Sequence, residues 1–324
     1  MLLPCNTVVK GPGDSRPTGR QVVEDENLVG AWEGKVVLIT GVSSGIGVET
    51  ARASTGATVF GAIRNLDKAR EALGSELIDS GRVKLLRIDQ TDLSSVRACA
   101  EEFRKQSSVL NIIVNNAAVM NTPEGRTKDG FELQFGTNHL SHFLLFYLLK
   151  DLLLASSTPE FHSRVVSVSS AGHCYSPLKL DNLNLEGEYN GWLAYGSSKT
   201  AIIYMTNMIE RLYGEKGLHG YTGSFVSPNL QQHSQTEMDA VSQDEKFKRY
   251  ISSTEQACAT TIYGAVSSEL EGKGGLYLEG ASTTVLPVPK DSKDAFEYGY
   301  AEWAFDREKE EKLWSLSKEM VKVE

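Results

Sequence analysis

From Lys35 onward, short runs of β-branched and aliphatic residues alternate with longer stretches whose apolar positions recur every three or four residues. Val36–Thr40, Thr58–Ile63 and Val83–Ile88 have the length and composition of buried strands, and each precedes a helical pattern. The series continues through a strand at Leu110–Val114, a long helix over Asn138–Leu154, a strand at Arg164–Ser169, a second long helix over Tyr195–Tyr213 and a weaker strand at Tyr221–Val226. Alternation of this kind implies parallel pairing, because a parallel neighbour needs a crossover and the crossover is usually a helix. The pattern predicts an α/β fold with a doubly wound parallel sheet of about seven strands and helices on both faces.

Beyond Pro228 the alternation is lost until a helical pattern at Glu255–Leu270 and an amphipathic helix at Asp306–Met320. Residues 1–33 are polar, with Gly11, Pro12, Gly13 and Pro17 ahead of a short helical pattern at Thr18–Leu28, and read as an extension. Residues 34–324 are expected to form one domain, with residues 229–250 covering a substrate.

The formal net charge of −9 works against nucleic-acid binding, which needs a continuous basic face. The four cysteines lie far apart with no paired spacing, so neither a zinc ribbon nor a disulfide framework is indicated, and a reducing compartment fits. The start carries no basic segment leading into a long apolar core, and no Asn-x-Ser/Thr acceptor occurs. A cytoplasmic location is expected. Leu140–Ala155, the most apolar stretch, is interrupted by His142, Lys150 and Asp151 and falls short of the roughly 20 apolar residues of a spanning helix. It reads as a buried or subunit-contacting helix.

Chemistry enters directly after the first strand, at Thr40-Gly41-Val42-Ser43-Ser44-Gly45-Ile46-Gly47. One glycine there permits the tight turn, one lets backbone amides approach a pyrophosphate, and one allows the helix to pack close over the strand. The opening helix adds unpaired N–H groups and a partial positive charge. Later, Tyr195-Gly196-Ser197-Ser198-Lys199 sets a phenol and an ammonium one helical turn apart. A lysine cation in that position favours the phenolate and brings tyrosine toward acid–base work at neutral pH. His139 and His142 share a helix face, but no carboxylate or cysteine nearby completes a metal site, and no metal is expected.

The spacing Thr-Gly-x-x-x-Gly-x-Gly, together with Tyr-x-x-x-Lys, resembles the short-chain dehydrogenase/reductase family, whose fold is of Rossmann type. The resemblance implies catalytic roles for Ser170, Tyr195, Lys199 and Asn138, with Ser169 the less favoured serine and Asn138 ordering a water in a proton relay through Lys199. It implies cofactor contacts from Gly41, Ser43, Ser44, Gly45, Ile46, Gly47, Asp89, Asn116, Tyr195, Lys199 and Pro228. At the tip of the second strand, Arg64 stands where an acidic residue would favour NAD, so NADP(H) is favoured over NAD(H). The insert Asp181-Asn182-Leu183-Asn184-Leu185, the segment Gly214–His219 and the late Gly299-Tyr300-Ala301-Glu302-Trp303-Ala304 resemble the retinol-dehydrogenase-like and WW-domain-oxidoreductase-like branch, particularly its fungal members. That likeness implies a small apolar alcohol or carbonyl as substrate, a setting in fungal secondary metabolism, and a homodimer or homotetramer built on the two long helices.

Three positions depart from the family pattern. Ala118 replaces the last glycine of Asn-Asn-Ala-Gly, and the helix before Gly56 is about two residues short. After the sixth strand the pattern Pro-Gly-x-x-x-Thr becomes Pro228-Asn229-Leu230-Gln231-Gln232-His233. These departures leave a second reading, a dinucleotide-binding regulatory or scaffolding protein without turnover.

Overall fold

The computed structural model describes residues 10–54, 56–224, 245–284, 287–288 and 299–324. Pro228 and residues 229–244 of the expected substrate cover, 229–250, lie outside them. Within them runs one sheet of eight strands: β1 Val36–Thr40, β2 Thr58–Ile63, β3 Val83–Arg87, β4 Ile112–Asn115, β5 Ser163–Val168, β6 Leu218–Ser224, β7 Leu276–Glu279 and β8 Ser282–Thr284. Their spatial order is β3-β2-β1-β4-β5-β6-β7-β8, parallel throughout except for the β7–β8 hairpin at the edge. The fold is therefore the doubly wound, Rossmann-type sheet anticipated, with one strand more than expected. The order reverses between β1 and β4, which opens a crevice beyond the carboxyl ends of the strands.

Side chains of β1 alternate across the sheet, as the pleat demands. Val36 and Leu38 join a core under helices α5 (Leu93–Gln106), α7 (Ser141–Ser156) and α8 (Gly191–Tyr213). Val37 and Ile39 join the opposite core, under α2 (Gly45–Ala53) and α10 (Thr254–Val266). The remaining helices are α1 (Gly19–Asp25), α3 (Leu66–Leu73), α4 (Ser75–Asp79), α6 (Leu133–Phe135), α9 (Glu245–Tyr250) and α11 (Arg307–Met320). Helix α1 begins at a capping box between Thr18 and Gln21 and packs on α10 and α2, so the N-terminal extension lies against the domain. Its Arg16 is buried, pairs with Asp14 at 2.9 Å and donates to the carbonyls of Tyr250 and Ile251.

Helix α2 ends at Ala53, consistent with the shortened segment, and Ser54 closes it by donating its hydroxyl to the Thr50 carbonyl at 2.8 Å. Helix α11 lies across α7 and α8. There Trp314 sets its ring edge-on to Phe143, 4.9 Å between centroids, and Glu310 accepts from Asn207 at 2.6 Å and pairs with Arg211. The long helix expected from Asn138 starts earlier, at Leu133, and its five residues Gly136–Leu140 widen into a π-turn.

Candidate active site

The tight turn after β1 needs backbone that only glycine adopts freely: Gly41 has φ +80° and Gly45 φ +59°. Gly47 serves a different purpose. A Cβ there would stand 2.2 Å from the Gly41 carbonyl oxygen and 2.7 Å from Asn116 Nδ2, so glycine alone lets α2 start this close to the strand. Ser44 caps α2 without spending its hydroxyl on the helix, and the first-turn amides face a cleft of about 420 Å³. Gly41, Ser43, Ser44, Gly45, Ile46 and Gly47 line one wall, followed by Arg64, Lys68, Asp89, Asn116, Ala118 and, at the far end, Lys199. Ala118 has no positive φ, so the methyl that replaces glycine costs no backbone strain.

At the adenosine end, Arg64 and Lys68 are both exposed, and the neighbouring carboxylate of Asp67 is engaged by Arg70 at 3.0 Å. Asp89 accepts from the amide of Thr91 at 3.0 Å and its hydroxyl at 2.7 Å. Asn116 ties two turns together: its Nδ2 donates to the carbonyls of Thr40 (2.8 Å) and Gly41 (3.2 Å).

The catalytic candidates converge beyond β5. Tyr195 is buried, and the Ser170 side chain lies beside it and favours its ionised form. Ser170 Oγ also accepts from the Gly172 amide at 3.1 Å, and the turn packs so tightly under the ring that a Cβ at Gly172 would come 2.9 Å from Tyr195 Cε1. Ser169 points elsewhere, donating to the Lys199 carbonyl at 3.2 Å, which distinguishes the two serines. Lys199 is buried, donates from Nζ to the Val168 carbonyl at 2.8 Å, and stands 5.5 Å from the Tyr195 ring centroid.

Loss of water governs both groups. Burial pushes the Tyr195 phenol up to about 12 against the opposing pull of Ser170, and draws the Lys199 ammonium down to about 7. The expected lysine-driven lowering of the phenol is not met. Near neutral pH the phenol is fully protonated, the state of a proton donor. Asn138 sits in the π-turn, where such widening releases backbone groups. Its side chain donates to the Val119 carbonyl and to Ser198 Oγ, each at 2.9 Å, and accepts from the Val119 amide at 2.8 Å. Among the described residues no cluster of three metal-binding side chains exists. His139 instead bonds Ser317 Oγ at 2.8 Å.

Sequence reading assigned no role to two buried imidazoles, one of which, His142, it had set aside as a metal ligand. His142 meets Thr40, Gln90 and the Asn138 carbonyl; His173 donates from Nδ1 to the Ser170 carbonyl at 2.7 Å and accepts from the Ala301 amide at 2.9 Å. Each reads as an interruption in apolar text, and only the tertiary fold supplies its partners.

A doubly wound sheet with a glycine turn at its switch point and a Ser–Tyr–Lys group at the rim, its tyrosine and lysine buried, defines a dinucleotide-dependent oxidoreductase scaffold. The chain belongs to the short-chain dehydrogenase/reductase family: the short chain dehydrogenase profile matches residues 35–236. It is 48% identical over 318 residues to the short-chain dehydrogenase/reductase prx1 of Penicillium roqueforti, covering 97% of this chain and 92% of that one. It is 33% identical over 298 residues to human retinol dehydrogenase 12, covering 90% and 87%. Among solved structures, an uncharacterized protein from Mycobacterium paratuberculosis superposes with a TM-score of 0.67 at 29% identity, over 91% of this chain and 98% of the other.

The residues present fit a nicotinamide dinucleotide. The glycine turn and the first-turn amides of α2 that line the cleft suit a pyrophosphate, and the cleft runs from the Arg64–Lys68 corner to Lys199.

Proposed function

We propose that the protein is an NADP(H)-dependent reductase or dehydrogenase that interconverts a carbonyl and an alcohol on an apolar small molecule. The observation that carries this reading is the buried, protonated Tyr195 phenol, beside Ser170 and one helical turn from a buried lysine at the end of the cleft. A nicotinamide dinucleotide held by the glycine turn and the first-turn amides of α2 would supply hydride chemistry at the substrate carbon. Tyr195 delivers its proton to the carbonyl oxygen as charge develops there, Ser170 donates a hydrogen bond to the same oxygen, and Asn138 holds the relay that restores the proton through Lys199. Oxidation runs the proton path in reverse.

Arg64 and Lys68 support the choice of NADP(H), since two cations with no competing carboxylate suit a 2′-phosphate. A setting in fungal secondary metabolism is part of the same proposal, and the relative from Penicillium roqueforti is fungal. No helix among the described residues is long and apolar enough to cross a membrane, in keeping with a cytoplasmic setting. A homodimer or homotetramer built on the two long helices α7 and α8 belongs to the same proposal.

The test is a screen of NADPH oxidation at 340 nm against ketones, aldehydes and quinones, beside a binding titration. Turnover of any carbonyl supports the enzyme; tight NADPH binding without turnover would favour the regulatory or scaffolding reading that the altered residues 228–233 suggest.

A further inference from the structure

Behind the cleft, the ends of β1, β3 and β4 and the π-turn converge on one buried side chain. His142 is 1% exposed. Its Nδ1 lies 2.8 Å from the Asn138 carbonyl oxygen, and since a carbonyl only accepts, Nδ1 carries the proton and Nε2 is the acceptor. Gln90 Nε2 approaches that acceptor at 2.8 Å and Thr40 Oγ1 at 2.9 Å.

The surrounding donors and acceptors close around this single tautomer. Thr40 Oγ1 accepts from the amides of Asn116 and Ala117, each at 3.0 Å, and its own proton faces His142 Nε2 at 2.9 Å and the Val114 carbonyl at 3.5 Å, of which the shorter contact is the stronger. Gln90 spends one amide hydrogen on Ser141 Oγ at 3.1 Å and the other on His142, and Ser141 passes its proton to the Thr137 carbonyl at 2.7 Å. A second proton on the ring would set N–H against N–H and O–H. Burial reinforces the neutral form, drawing the imidazole down to about 4, with Lys199 adding to the effect.

We propose that His142 is a positioning residue that locks the dinucleotide-binding turns to the Asn138 carbonyl, holding the cofactor seat and the proton-relay site in one register. The proposal rests on the reading of the cleft as a dinucleotide site. Through Thr40 the ring fixes the Asn116–Ala117 turn, through Gln90 it fixes the neighbour of Asp89, and through Nδ1–H it occupies one lone pair of the Asn138 carbonyl while leaving the other for water. A packing role alone would be indifferent to which nitrogen is replaced; the positioning role is not.

Two near-isosteric substitutions separate its two ends. The amide of His142→Asn overlays Nδ1 and keeps a donor for Asn138 but does not reach Thr40 or Gln90. The terminal amide of His142→Gln overlays Nε2, keeps the Thr40 and Gln90 partners and loses the donor. One neutral hydrogen bond changes an equilibrium by about tenfold. His142→Asn should therefore raise the NADPH Kd about tenfold with kcat at saturating cofactor within about threefold, and His142→Gln should lower kcat about tenfold with Kd within about threefold. If the wild type binds NADPH but reduces nothing, the binding arm still decides, because only His142→Asn should weaken the cofactor. Equal shifts in both variants, or none in either, would overturn the assignment. A wild type that binds no NADPH would overturn the cofactor reading, and this proposal with it.

Discussion

Replacing Gly47 with alanine tests how the cleft is built. The new Cβ would lie 2.2 Å from the Gly41 carbonyl oxygen, about 1.2 Å short of ordinary contact, and 2.7 Å from Asn116 Nδ2. Gly47 has no positive φ, so the residue itself is not strained; the whole penalty is the collision, and its main partner is backbone that cannot rotate away. Overpacking of this kind costs about 1–3 kcal/mol, which corresponds to a fall in Tm of roughly 1.5–4.5 °C in a domain of this size. The larger effect is on the cofactor. To make room, the start of α2 must move off the turn, and its amides then miss the pyrophosphate. Losing one charge-assisted contact removes about 1.5–3 kcal/mol, so NADPH should bind about 10- to 150-fold more weakly. Gly81→Ala is the control: it introduces strain at φ +72° with no neighbour within 4 Å, so it should lower Tm slightly and leave binding alone. Fluorescence titration of NADPH and thermal unfolding of both variants give the answer. A Gly47→Ala protein that binds NADPH within threefold of the wild type would refute the idea that this close approach forms the pyrophosphate seat.

Tyr195→Phe should lower turnover by at least about 100-fold with NADPH affinity within a few-fold, and retention of a tenth of wild-type activity would remove Tyr195 as the proton donor. Arg64→Ala should weaken NADPH about 10- to 150-fold and leave NADH unchanged, whereas equal shifts for the two cofactors would show that Arg64 does not read the 2′-phosphate. Burial holds Lys199 near 7, below its usual 10.5, so folding expels a proton that the unfolded chain keeps; this penalty is full below about pH 7 and fades as pH rises toward 10.5. Lys199→Met should therefore abolish turnover yet raise Tm at pH 7, by a margin that shrinks at pH 9 and 10. A margin independent of pH would disprove the linkage.

Strands β1, β2, β4 and β5 were legible because each is a short apolar run with a buried centre, the signature of parallel strands, whereas the edge strand β3, with Lys84 and Arg87 exposed, was legible from its place in the alternation. Strand β6 begins at Leu218, three residues ahead of expectation, because His219 and Gly220 look like turn residues until the burial beneath Glu210 and Thr206 is known. Strands β7 and β8 escaped notice since they are short and flanked by Gly272, Gly274, Gly275 and Gly280. Motif spacing brought Ser170, Tyr195, Lys199 and Asn138 into view. It had no means of anticipating desolvation, which sets the protonation of Tyr195 and Lys199, or the π-turn, which has no compositional mark.

The packing of α11 bears on how the chain is made. Phe143 and Trp314 touch, yet they are separated by about 170 residues, which a ribosome adds in roughly 10–30 s. Until Trp314 and Leu313 emerge, the outer surface of α7 and α8 is an uncovered apolar face on a nascent protein whose sheet is otherwise nearly complete. Such a face is what holdase chaperones bind and what drives premature association. A ribosome stalled before Arg307 would therefore release a product that keeps its glycine turn and its Tyr–Lys pair but aggregates, and abundance in the cell should depend on α11 more steeply than the chemistry of the cleft does.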